Sequence, residues 1–161
     1  MNLKLLPALV LLVPMLASAE DVQYPPRRAG LWEGSTKLGE TTIQSKMCVD
    51  PASDHKLMEV GLDSVKQMGG TMSVTVDGPV VHFKTSATIS GHTISSEEIM
   101  TMAGDTALSG TGHTTVDPPF PEFEKAFPGT TQMEAHWVGP CPPDMKPGDV
   151  SSNGRKFNAL K

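Results

Sequence analysis

The stretch Thr71–Val116, TMSVTVDGPVVHFKTSATISGHTISSEEIMTMAGDTALSGTGHTTV, decides the fold. Met72, Val74 and Val76 alternate with Thr71, Ser73 and Thr75, and Val81, Phe83, Thr85, Ala87 and Ile89 oppose His82, Lys84, Ser86 and Thr88. Strict alternation places successive side chains on opposite faces of a strand, and Ser and Thr on one of them mark a wet face. Asp77-Gly78-Pro79, Gly91 and Ala103-Gly104-Asp105 are turn residues that cut the run. The remaining pieces, Thr93–Met102 and Thr106–Val116, continue the pattern, so the region predicts an antiparallel meander.

Working outward toward the N-terminus, Thr41–Val49 alternates with Ile43, Met47 and Val49 on one side. An earlier strand opens at Ala29-Gly30-Leu31-Trp32-Glu33, with Gly39-Glu40 as the hairpin turn. Asp50-Pro51 then changes the pattern, because Asp is a good helix N-cap and Pro suits the first helical position. Met58, Leu62 and Val65 share a stripe flanked by Leu57 and Met68, and Gly69-Gly70 stops it, predicting a helix over 51–67. Gly61 weakens its middle.

Toward the C-terminus, Asp117–Gly129 carries Pro118, Pro119, Pro121 and Pro128, which exclude a central strand. Phe120, Phe123 and Phe127 would share one face of a short helical turn there. A further strand follows at Thr131–Val138, with Met133, Ala135 and Trp137 facing inward. Gly139–Lys161 is rich in Pro and Gly and reads as an irregular tail pinned at Cys141. The expected class is mainly β (α+β), a curled antiparallel meander of about six or seven strands with one helix. Trp32 and Trp137 are expected to meet where the first and last strands approach.

The chain has 161 residues with 18 acidic against 13 basic side chains, a net charge of −5. The length fits one ordinary domain, and the acidic balance argues against nucleic acid as a partner. Met-Asn-Leu-Lys, the apolar run Leu5–Leu16 and Ala17-Ser18-Ala19 have the form of a secretory signal peptide cleaved near Ala19. The run is shorter than the ~20 residues that span a bilayer, and Pro7 and Pro14 interrupt it. The organisation read from the chain is a signal peptide over 1–19 and a single β-rich domain over 20–161. The expected product is a periplasmic or secreted monomer with no later membrane span. In that compartment Cys48 and Cys141 read as a disulfide, with a reactive thiol or a metal ligand as the rivals.

The residues offer little chemistry. Nucleophile-elbow, phosphate-loop, dinucleotide and zinc-protease motifs are absent from the sequence, and Gly110-Thr111-Gly112 reads as a strand bend. His55, His82, His92, His113 and His136 show no ligand spacing, so neither a metal nor a cofactor is expected. Glu97 and Glu98 point to opposite faces of a strand and cannot share one cleft. The Phe120/Phe123/Phe127 stripe reads either as a lid on the core or as a patch for an apolar ligand or partner.

Ala29-Gly30-Leu31-Trp32-Glu33, Met47-Cys48, Trp137-Val138-Gly139-Pro140-Cys141-Pro142 and Met145-Lys146-Pro147-Gly148-Asp149 together carry a resemblance. They resemble the bacterial exported family catalogued as domain of unknown function thirty-six seventeen, over essentially the whole mature chain. Its members usually begin with Pro-Gly where this chain has Ala29-Gly30. Many have a second cysteine pair, which the region Lys66–Ile89 lacks. The resemblance implies a compartment and a chain organisation and no activity. The expectation is a non-catalytic binding or envelope-accessory module in which Gly30, Leu31, Trp32, Glu33, Trp137, Gly139, Pro140 and Lys146-Pro147-Gly148-Asp149 are architectural. One alternative is a carrier of a small apolar molecule under the Phe120–Phe127 segment, and another is an inhibitor or partner of an envelope protein.

Overall fold

In the computed structural model, residues 22–121 and 129–161 are described; the leader expected to be a signal peptide lies outside them, as do Phe123 and Phe127. The meander is present with nearly the expected boundaries: β3 (Thr71–Asp77), β4 (Val80–Ile89), β5 (His92–Ala103) and β6 (Ala107–Asp117). β1 (Gly30–Leu38) and β2 (Thr41–Val49) precede it, and β7 (Thr130–Gly139) follows. All pair antiparallel in one sheet of order β3-β4-β5-β6-β7-β1-β2-β8-β9.

The described residues form nine strands, above the expected six or seven. The excess lies in the tail, which is a hairpin where irregular structure was expected: β8 (Asp149–Ser152) pairs with β2, and β9 (Arg155–Asn158) pairs with β8. Four-residue strands rich in Ser, Asn and Lys carry no hydrophobic alternation for a sequence reading to detect. They form because β2 supplies a ready edge and Val150 has Met47 to pack beside. β3 and β9 remain as the two edges, so the sheet is open.

The helix α1 spans Pro51–Gln67, as expected. The Asp50 carboxylate accepts from the Ser53 N–H at 2.7 Å, and the Ser53 hydroxyl accepts from the Asp50 N–H at 2.8 Å, a reciprocal cap. Hydrogen bonding from Ser53, its backbone N–H first and its side chain second, holds the Asp50 carboxyl below its usual range. The chain leaves α1 with the Gly69 and Gly70 N–H groups donating to the Lys66 and Val65 carbonyls. Met68, expected to flank the buried stripe, is the C-cap residue and is 53% exposed.

The register fixes which side chains face inward. Met72, Thr85, Ser96 and Thr114 are neighbours across four strands; so are Val81, Met100, Gly110 and Met133. Trp32 lies opposite both Trp137 and Met47, the expected meeting of the two tryptophans. Trp32, Val49 and Met102 form the buried centre, with Leu57 of α1, Met47, Leu108 and Trp137 against it. Small residues make the curl possible. A Cβ on Gly34 would come within 2.6 Å of the Glu134 carbonyl oxygen, and one on Gly110 within 3.0 Å of the Met133 side chain. Bare backbone at these two places lets the inner face fold toward itself.

Cys48 and Cys141 are bonded, with Cα atoms 5.6 Å apart and a separation of 93 positions in the sequence. The bond joins the end of β2 to the chain just past β7, at the base of the core.

Candidate functional site

The inner face is roofed by α1 and by the leader Val22–Arg28. Beneath them lie two adjoining chambers of about 280 and 600 Å³ that share Tyr24, Met58 and Met100 in their walls. The smaller one is roofed by Leu57, Met58 and Leu62 of α1 and floored by Met72, Phe83 and Met100 of the sheet. Its polar groups are Thr85, Ser96, Glu98 and Tyr24. The larger chamber runs under the leader, between Val22–Arg27 and the first turns of α1. Together they have the size and apolar lining of a small-molecule site.

Two polar groups in this cleft stand out. Glu98 sits on the inner face between Phe83 and Gly112, where β5 otherwise carries Ile94, Ser96, Met100 and Met102. A Cβ at Gly112 would make ordinary van der Waals contact with it, 3.8 Å from the Glu98 Cγ. Among the described residues no hydrogen bond or ion pair reaches the Glu98 carboxyl, and burial pushes its pKa above the usual value. Tyr24, the single tyrosine, stacks on Phe83 with ring centroids 6.4 Å apart and planes 10° from parallel. Its hydroxyl is buried without a partner, shielded from the open space of the cleft, and burial raises its pKa as well.

The leader is clamped in place. Arg27 donates through Nε to Asp54 of α1 at 2.7 Å, through its backbone N–H to the same carboxylate at 3.3 Å, and lies 5.7 Å from the Trp32 ring centre. Arg28 pairs with Asp105 at 3.0 Å and lies 5.2 Å from the Trp137 ring centre. Both indoles donate back to the leader, Trp32 to the Arg28 carbonyl at 2.8 Å and Trp137 to the Ala29 carbonyl at 3.0 Å. Each of these two arginines thus has an aromatic face and a carboxylate. No local pattern announces this, because Asp54 and Asp105 lie far along the chain.

The motif residues occupy the frame around the cleft. Gly30 has φ +134°, and a Cβ there would meet the Gly139 carbonyl and stand 2.5 Å from Trp137 Nε1. Leu31 pairs in register with Cys48 and Gly139, while Glu33 faces outward to Lys46. Pro140 is exposed between Gly139 and Cys141. Lys146–Asp149 forms a turn closed by the Asp149 N–H to the Lys146 carbonyl at 2.9 Å and by the Lys146 N–H to the Asp149 carboxylate at 2.8 Å. The latter bond, with Asn158, holds the Asp149 carboxyl below its usual range. Gly148 donates to the Cys48 carbonyl at 2.8 Å, tying that turn to the disulfide.

Phe120 lies elsewhere. It packs at a tilt on His92, 5.1 Å between ring centres, is 41% exposed and lines neither chamber. The rest of that segment lies outside the described residues. Glu97 and Glu98 take opposite faces, Glu97 bonding Lys84 at 2.9 Å on the outer one. Among the described residues no group of three or more His, Cys, Asp and Glu is placed to hold a metal ion, and no helix is long and apolar enough to cross a membrane.

Fold and site define a class: an open, curled antiparallel sheet whose inner face, a helix and an arginine-clamped leader enclose an apolar cleft. The model of the family described as "Protein of unknown function (DUF3617)" matches residues 27–141, and the chain belongs to that family. Neither the curated proteins nor the solved structures yielded a match.

Proposed function

We propose that the protein is an exported, non-catalytic module that binds a small apolar molecule in the cleft between α1, the leader and the inner face of the sheet. One observation carries the reading: a cleft of about 280 Å³ lined by Met, Leu and Phe side chains lies open between α1 and the sheet. Apolar surface left facing water there is covered favourably by an apolar molecule. Export is supported by the Leu5–Leu16 run ending in Ala17-Ser18-Ala19 and by the Cys48–Cys141 bond. The absence of catalysis rests on the chamber chemistry. Glu98 has neither a histidine nor a second carboxylate beside it in the smaller chamber, and Asp54 in the larger one is engaged by Arg27. The carrier reading thus keeps its ligand class and moves away from the Phe120 segment.

Gly61 provides the test. It lies in the wall of the smaller chamber, and a Cβ there meets nothing within 4 Å. Gly61→Phe therefore starts from a Cβ with open space around it at the chamber wall, and it removes a helix-weakening glycine. Titration with the neutral fluorophore N-phenyl-1-naphthylamine is expected to give saturable enhancement with the mature wild-type protein. In Gly61→Phe, affinity should fall by about tenfold or more with no loss of melting temperature. Equal binding by both proteins, or none by either, rules the cleft out as the site.

A further inference from the structure

The cleft is not uniformly apolar, and where its polar groups lie says what its ligand must carry. Glu98 occupies the inner face of β5 at a register position flanked by Phe83 and Gly112, in the same chamber as Met72, Met100 and Tyr24. Among the described residues seven carboxylates pair with an arginine or lysine: Asp54 with Arg27, Asp105 with Arg28, Glu33 with Lys46, Glu59 with Lys56, Asp63 with Lys66, Glu97 with Lys84 and Asp144 with Lys156. Glu98 has none among the described residues, and no lysine or arginine lines its chamber. A carboxylate facing an apolar chamber without a counter-charge is disfavoured unless a cation or hydrogen-bond donor meets it. Glutamine or leucine at this inward position would fold with less opposition.

Resting on the binding role proposed above, we infer that Glu98 is a head-group subsite for an amine, and that the ligand is an amphipathic amine with an aliphatic or aromatic body. The ammonium donates to the Glu98 carboxylate. The apolar body lies along Leu62 and along Met58, Met72 and Met100, whose unbranched thioethers adapt to varied shapes. Tyr24 connects the subsite to the leader, so the clamp of Arg27 on Asp54 holds one wall of the head-group pocket in position. Burial that raises the Glu98 pKa acts in the same direction, since a bound ammonium relieves the penalty on the charged carboxylate.

Three probes of one chain length and different heads test this: decylamine, decanol and decanoate, each displacing N-phenyl-1-naphthylamine from the mature protein. Decylamine is expected to bind wild type about tenfold tighter than decanol, with decanoate weakest. In Glu98→Gln, decylamine should fall to the level of decanol while decanol is unchanged within about twofold. Equal binding of the three by wild type, or a preference for decanoate, overturns the head-group inference and leaves the apolar cleft standing. Retained decylamine preference in Glu98→Gln also overturns it. If none of the three displaces the fluorophore although Gly61→Phe blocks it, the amine inference fails and the cleft reading survives. If the fluorophore itself does not bind, the cleft reading fails first.

Discussion

At the scale of single residues, Glu98 and Gly30 show how one position can serve site or frame. Glu98 is the one charged side chain in an inward row that also holds Ile94, Ser96, Met100 and Met102, and that row was visible in the sequence by simple alternation. Separating Glu97 from Glu98 by face was legible; that the inner face encloses a chamber at Glu98 was not, because the roof comes from α1 and the leader. Burial raises the folded-state pKa of Glu98 above its ordinary 4.5. Below that value the carboxyl is neutral folded or unfolded. As pH rises the unfolded chain ionises first, so the stability of the folded protein is lost through the folded-state pKa. Glu98→Gln is accordingly expected to melt higher than the ligand-free wild type near pH 7, with the difference gone below pH 4.5. Parallel melting curves at both pH values would contradict the assignment. Gly30 is of the other kind. Its φ of +134° lies where only glycine is comfortable, and the Trp137 indole passes over it.

At the scale of elements, α1 is both a structural unit and the roof of the site. Its limits were legible because Asp50-Pro51 and Gly69-Gly70 are local signals whose physics needs no distant partner. Removing the cap by Asp50→Ala should lower stability by about 1 kcal/mol, read as a shift in the urea midpoint at unchanged slope. A null effect would mean that packing of Leu57 on the Trp32 centre holds the first turn without the cap. The β8–β9 hairpin is the opposite case. Its strands are short, polar and without alternation, and they exist because β2 offers an unpaired edge. The Lys146–Asp149 turn that aims them is held by the Asp149 carboxylate and by the Gly148 N–H on the Cys48 carbonyl.

At the scale of the whole molecule, two devices hold an open sheet in a curl: the Cys48–Cys141 bond across 93 residues, and the leader clamped by Arg27 and Arg28. Replacing both cysteines with alanine frees the unfolded chain of that loop and should lower stability by about 2–5 kcal/mol, measured by thermal unfolding without reductant. Adding reductant to the wild type should reproduce the loss, and a double variant as stable as wild type would show that pairing of β2 with β8 suffices. The sequence by itself determined the antiparallel meander, the helix and the cysteine pair. Those follow from period-2 alternation, caps and the count of two cysteines, all of which are local or compositional. Only the tertiary structure decided that Tyr24, Arg27 and Glu98 belong to one site. They come from the leader and β5, brought together by the curl of the sheet, and which side chains meet across that curl is a property of three-dimensional surroundings that no spacing along the chain encodes.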